Sequence, residues 1–157
     1  MRPSEIYSYL VLNIVDANCL EVITKTFFFI MIISQNFAEE FAREWLEAWN
    51  SRNLEAILRH YSEEVVFSSP LVRKNQINES GSLHGKQSLG KYFALALEKN
   101  PDLHFDLQHI LLGIKSITLI YLRKKTVLAA EVMILNEKGL VVEGLSHYPL
   151  ERISSLP

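Results

Sequence analysis

Between residues 102 and 150 the hydrophobic period changes from helical to two and stays there through four successive runs. They are DLHFDLQHILLG (102–113), SITLIYLR (116–123), TVLAAEVMIL (126–135) and LVVEGLSHYPL (140–150). A period of two sends successive side chains to opposite faces of a strand. Connections this short join antiparallel neighbours, because a parallel pair needs a crossover of a dozen residues or more. Asn136 to Gly139 reads as a hairpin turn, with Gly139 available for positive φ. Arg123-Lys124-Lys125, the densest basic run, lies between two apolar strands and reads as a solvated turn.

Helical patterns precede these strands. NFAEEFAREWLEAWNSRN (36–53) places Phe37, Phe41, Trp45 and Ala48 on one face, which Leu46 and Trp49 widen. Asn53 is a suitable N-cap for a second helix carrying Leu54, Ile57, Leu58 and Tyr61. EEVVFSSP (63–70) reads as a short strand ending at Pro70, and the polar stretch 71–83 as a loop. GKQSLGKYFALALEKNP (85–101) is a third helix with Leu89, Tyr92, Phe93 and Ala96 on one face, stopped by Pro101. Helices first and an antiparallel run afterwards predict an α+β domain with its helices on one face of the sheet. The last two strands are apolar on both faces. One face should meet the helices, and the other is expected to meet a second copy, giving a homodimer.

The chain has 157 residues, 48% apolar and 22% charged, which suits one globular domain with a real core. A net charge of −2 leaves no electrostatic footprint for nucleic acid. Cys19 is the sole cysteine, so no intramolecular disulfide forms, and a reducing, cytoplasmic location is the simpler expectation. Residues 1–35 differ in character from the rest of the chain. Their apolar run, Phe27 to Ile33, is far short of the ~20 residues a spanning helix needs. Glu5, Asp16 and Glu21 upstream of the run argue against a signal peptide. Three readings stand: an extra packed helix or strand, a marginal membrane-associating stretch, or an upstream extension with Met31 as the true start. The third is favoured. The domain is placed at 36–151, with a tail at 152–157.

Glu131 is the residue the strand pattern does not explain. Val127, Ala129, Met133 and Leu135 share its parity, so it sits on a core or pocket-lining face with Met133 beside it. A carboxyl buried there is costly when charged, and its pKa should rise. Such acids are candidates for function, and the alternative is a structural pair with an Arg or His on a neighbouring strand. His109 shares parity with Leu103, Phe105, Leu107 and Leu111 and is the candidate partner for an acid–base dyad with Glu131; otherwise it is a core histidine. Tyr148 shares parity with Val142, Gly144 and Ser146. Those small residues either leave space for a ligand beneath Tyr148 or accommodate helix packing. Trp45, Trp49, Tyr61, Phe67 and Phe93 are candidates for an aromatic lining, or for plain core. The sequence has no Gly-rich phosphate loop, H-E-x-x-H, cysteine pair or G-x-S-x-G elbow, and its histidines are scattered. No cofactor and no metal are expected.

The stretches WLEAWNSRNLEAILRHYSEEVVFSSP, LHGKQSLGKYF and AAEVMILNEKGLVVEGLSHY, in this order, resemble the NTF2-like superfamily and, within it, the SnoaL-like group. The resemblance covers about residues 36–150. It implies a cone, in which a strongly curved antiparallel sheet wraps three N-terminal helices around a hydrophobic pocket. Ketosteroid isomerases of this superfamily place a carboxylate base just before the proline that ends the first strand, where this chain has Ser69. They place an oxyanion-donating tyrosine on the first helix, where it has Trp45. Their third group is a carboxylic acid five residues before the turn asparagine, which Glu131 matches. The resemblance implies a small apolar ligand and, for an enzyme, cofactor-independent isomerisation, cyclisation or dehydration beside a carbonyl. The alternative is a non-catalytic ligand-binding or dimeric association domain.

Overall fold

The computed structural model describes residues 33–149. The three readings of the N-terminal extension and the 152–157 tail fall on residues outside that range. Helix α1 (Gln35–Asn50) opens on Ser34, whose side chain accepts from the Phe37 N–H at 3.2 Å. It buries Ala38, Phe41, Ala42, Trp45, Leu46, Ala48 and Trp49, most of the stripe its spacing predicts, while Phe37 at its start is only half-buried. Asn53 caps α2 (Leu54–Arg59) by accepting from the Ala56 N–H at 3.0 Å. Tyr61 does not extend this helix. It opens strand β1 (Tyr61–Ser68) and is fully buried.

The stretch read as a loop contains two elements. Ser69 caps a short helix, α3 (Pro70–Lys74), accepting from the Leu71 N–H at 3.2 Å. Pro70 therefore starts a helix rather than simply ending a strand. At the first helical position its missing N–H costs nothing and its fixed φ is already helical. Strand β2 (Ser82–His84) then pairs antiparallel with β1. Helix α4 (Lys86–Lys99) follows, burying Leu89, Tyr92, Phe93 and Leu97.

The four predicted strands are β3 (Phe105–Leu112), β4 (Ser116–Arg123), β5 (Val127–Leu135) and β6 (Val141–His147). With β1 and β2 they form one curved, unclosed sheet in the order β2-β1-β6-β5-β4-β3, antiparallel except that β1 runs parallel to β6. The β5–β6 turn is built by Asn136, whose side chain accepts from the Lys138 and Leu140 N–H groups, both at 3.0 Å. Gly139 turns there at φ 74°.

One face of the sheet meets the helices. Val65, Phe67, Phe105, Ile117, Leu119, Tyr121, Ala129, Met133, Leu135 and Val141 are buried on it. Asn50, at the end of α1, fastens that helix to β3: its side chain donates to the Phe105 carbonyl at 3.0 Å and accepts from the Phe105 N–H at 2.8 Å. Arg52, in the α1–α2 turn, donates to the Leu97, Asn100 and Pro101 carbonyls and so satisfies the end of α4. Among the described residues, no helix is long and apolar enough to cross a membrane.

Candidate functional site

Glu131 stands mid-strand on the inner face, in register with Leu119 of β4 and Ser146 of β6. It is 3% exposed. The Ser146 hydroxyl donates to Oε2 at 2.8 Å, while Oε1 is buried with no hydrogen-bond partner. Among the described residues no basic side chain pairs with it. Burial pushes the carboxyl up to about 8, with the Ser146 hydrogen bond pulling the other way. At neutral pH Glu131 is therefore mostly a neutral carboxylic acid, with one proton to donate and an oxygen free to accept.

Gly144 lets the Phe67 ring pack against β6 close to Oε1. A Cβ at that position would lie 2.9 Å from Phe67 Cδ2 and 3.9 Å from Glu131 Oε1. Phe67 instead lies directly over β6 and packs T-shaped on Phe93, at 5.3 Å between ring centres. A cavity of about 40 Å³ remains, walled by Trp45, Trp49, Phe67, Phe93, Phe105 and Tyr121, with Glu131 and Ser146 as its polar floor. Trp49 contributes a second orphan: its indole N–H is buried without a partner. Trp45, by contrast, is satisfied, its N–H donating to the Tyr61 hydroxyl at 3.1 Å.

Leu71, Tyr92, Ala96, Arg123 and Tyr148 also line this cavity, and the same five line an outer one of about 300 Å³ between α3, α4 and the β4–β5 end of the sheet. They form the boundary between the two. Burial raises the phenols of Tyr61, Tyr92, Tyr121 and Tyr148 above the ordinary tyrosine value, and in each the charge of Glu131 acts in the same direction. These hydroxyls stay neutral and remain donors.

Of the residues picked from sequence, Trp45, Trp49, Phe67, Phe93, Glu131 and Tyr148 all line the inner cavity. Tyr61 and Met133 lie behind it, with no exposed surface. Ser69 is buried as the α3 cap, its hydroxyl accepting from the Leu71 N–H. His109 does not reach Glu131. The β3–β4 register shifts between Leu107 and His109, so His109 pairs with Ile120 and, through it, falls in line with Ala130 on the outer face. A bulge inserts a residue and inverts every parity beyond it. A second bulge, between Ile134 and Leu135 in the β5–β6 register, puts Val141 inside rather than Val142.

Sequence reasoning missed Ser146 as the partner of Glu131, and missed Tyr92, Tyr121 and Arg123. Arg123 belongs to the basic run, but only Lys124 and Lys125 make the turn, both at positive φ. Arg123 ends β4 on the inner face, two residues from Tyr121. Counting outward from the Asn136–Gly139 turn would set Glu131 opposite Leu145; the bulge between Ile134 and Leu135 shifts the register by one and brings Ser146 there instead.

The SnoaL-like domain model matches residues 42–148. A SnoaL-like protein of unknown function from Burkholderia thailandensis is 41% identical, with a TM-score of 0.72 over 74% of this chain and 98% of that one. An NTF2-like protein of unknown function from Cytophaga hutchinsonii is 18% identical, with a TM-score of 0.56 over 75% and 95%. SalBIII, an epoxide hydrolase/cyclase-like enzyme of pyran ring formation in the polyether salinomycin, is 14% identical, with a TM-score of 0.61 over 75% and 95%. The last two similarities are of fold. No curated protein gives a significant match.

Proposed function

The chain belongs to the SnoaL-like domain family, and we propose that it binds a small, largely apolar molecule bearing a carbonyl or hydroxyl group, with Glu131 as the group that meets this oxygen. One observation carries this reading: Oε1 of a buried carboxyl has no partner and borders an aromatic cavity. An acid held this way costs stability that a purely structural residue would not. The orphan indole N–H of Trp49 borders the same cavity and gives a ligand oxygen a second donor.

If the bound molecule reacts, the chemistry is proton transfer beside a carbonyl: isomerisation, cyclisation or dehydration without a cofactor. Neutral Glu131 would give its proton to the carbonyl oxygen as the enol forms, and the resulting carboxylate would take up the proton released from the adjacent carbon, leaving the acid neutral again. Ser146 holds the carboxyl in place. His109 has no part in this step from its place on the outer face.

A second reading rests on the small inner volume, about 40 Å³. A nearly filled cone suits a non-catalytic domain whose fold serves association. We also propose a homodimer through the outer sheet face, where Leu111 is 52% and Leu128 50% exposed, and a cytoplasmic location, which the single cysteine supports.

Thermal unfolding of wild type and Glu131→Gln with a panel of hydrophobic ketones and enones tests the proposal. At least one compound should raise the wild-type melting temperature and lose that effect in the variant. If none shifts either protein and Glu131→Gln is strongly destabilised, Glu131 is structural and the ligand reading fails.

A further inference from the structure

The outer cavity has a charge pattern that the inner one lacks. Lys74, Lys99 and Arg123 line it with two asparagines, and among the described residues no Asp or Glu does. Lys74 and Lys99 sit in the last turns of α3 and α4, where a cation also offsets the negative end of a helix. Arg123 has no such explanation. It ends a strand, on the inner face, and is partly buried at the boundary between the two cavities. Its charge acts on the hydroxyls of Tyr92, Tyr121 and Tyr148. The nearby Asp102 is already held by Lys124 at 2.6 Å, and among the described residues no carboxylate forms an ion pair with Arg123. A guanidinium in this setting is a fork of donors facing a cavity.

We propose that the ligand is an amphipathic carboxylate, its carboxylate on Arg123 at the boundary between the cavities, its apolar body in the outer one of about 300 Å³ and only a leading polar atom in the inner one of about 40 Å³. This rests on the ligand-binding reading above and adds the substrate class to it. The two ends of the site then do different work. Arg123 recognises and orients a permanent anion by charge-assisted hydrogen bonds, and Glu131, at the far end, meets a polar atom on the body. A carboxylate seated at Arg123 is favoured by that charge and by Lys99 nearby, whereas an uncharged analogue keeps only the weaker hydrogen bond of a neutral oxygen.

The test uses a matched pair, 4-phenylbutanoate and 4-phenylbutanamide, titrated into the full chain with tryptophan fluorescence as the readout, since Trp45 and Trp49 border the inner cavity. Wild type should bind the acid about tenfold more tightly than the amide. The preference should vanish in Arg123→Gln, survive in part in Arg123→Lys, and fall with salt, while amide affinity changes much less than acid affinity. Equal affinities in wild type, or a preference that persists in Arg123→Gln, overturn the carboxylate assignment and leave the ligand pocket standing. Binding of neither probe overturns both. Should Arg123→Gln fail to fold, the salt dependence in wild type decides: a preference that salt does not weaken overturns the assignment.

Discussion

Ser146 and Glu131 face each other across the β5–β6 pair, and the serine hydroxyl satisfies one oxygen of the carboxyl and leaves the other bare. That asymmetry is the centre of the site. It fixes the carboxyl by one oxygen and presents the second to the cavity. Ser146→Ala should remove the anchor. The loss costs about 1–3 kcal/mol, the usual penalty for stripping a buried polar group of its partner, and pushes the Glu131 carboxyl further up, because the hydrogen bond favours its charged form. Denaturant midpoints across pH read both effects.

Glu131→Gln should change how stability depends on pH. The folded-state pKa lies near 8, against an ordinary value of 4.5. Between these values the folded chain holds a proton that the unfolded chain has released, so wild-type stability falls as pH rises through that window and levels off above it. Glutamine does not titrate. The difference between variant and wild type should therefore be nearly constant below pH 4.5, grow in the variant's favour towards pH 8, and reach a few kcal/mol. Chemical unfolding in a series of buffers shows whether that divergence occurs.

Gly144→Ala should fail by collision. The added methyl would meet Phe67 at 2.9 Å, and Phe67 is held by Phe93 and Tyr92, at 5.3 and 6.0 Å between ring centres. With little room to give, the core loses about 1–3 kcal/mol. Any ligand contact with Oε1 weakens too, since that atom is 3.9 Å from the same methyl. A lower melting temperature with weaker probe binding is the expected pair of results.

Much of this was legible in the sequence because local physics dominates there. The α1 stripe, the Asn53 cap, the Gly139 turn and the inward parity of Glu131 each depend on residues a few positions apart. What was lost depends on distant partners or on exceptions to a period. Pro70 stops a strand and starts a helix with equal ease, and only Ser69 in the cap position distinguishes the two. Strand β2 spans three residues, too few for any period. Tyr61 carries no mark that separates the end of a helix from the start of a strand. His109 kept the right parity until a bulge inverted it, and the parallel β1–β6 pairing joins segments far apart in the chain. Within the site, the aromatic wall was readable as a stripe, but Ser146 and Arg123 became visible only once strand register was known.

The state of the Glu131 carboxyl at neutral pH is the most direct test of the account. Difference infrared spectroscopy between wild type and Glu131→Gln isolates that one group. At pH 7 the wild type should show the carbonyl stretch of a protonated carboxylic acid, absent from the variant and giving way to carboxylate bands near pH 8. A Glu131 that is already fully ionised at pH 6 would contradict the account, because the neutral donor on which the proposed site depends would then not exist.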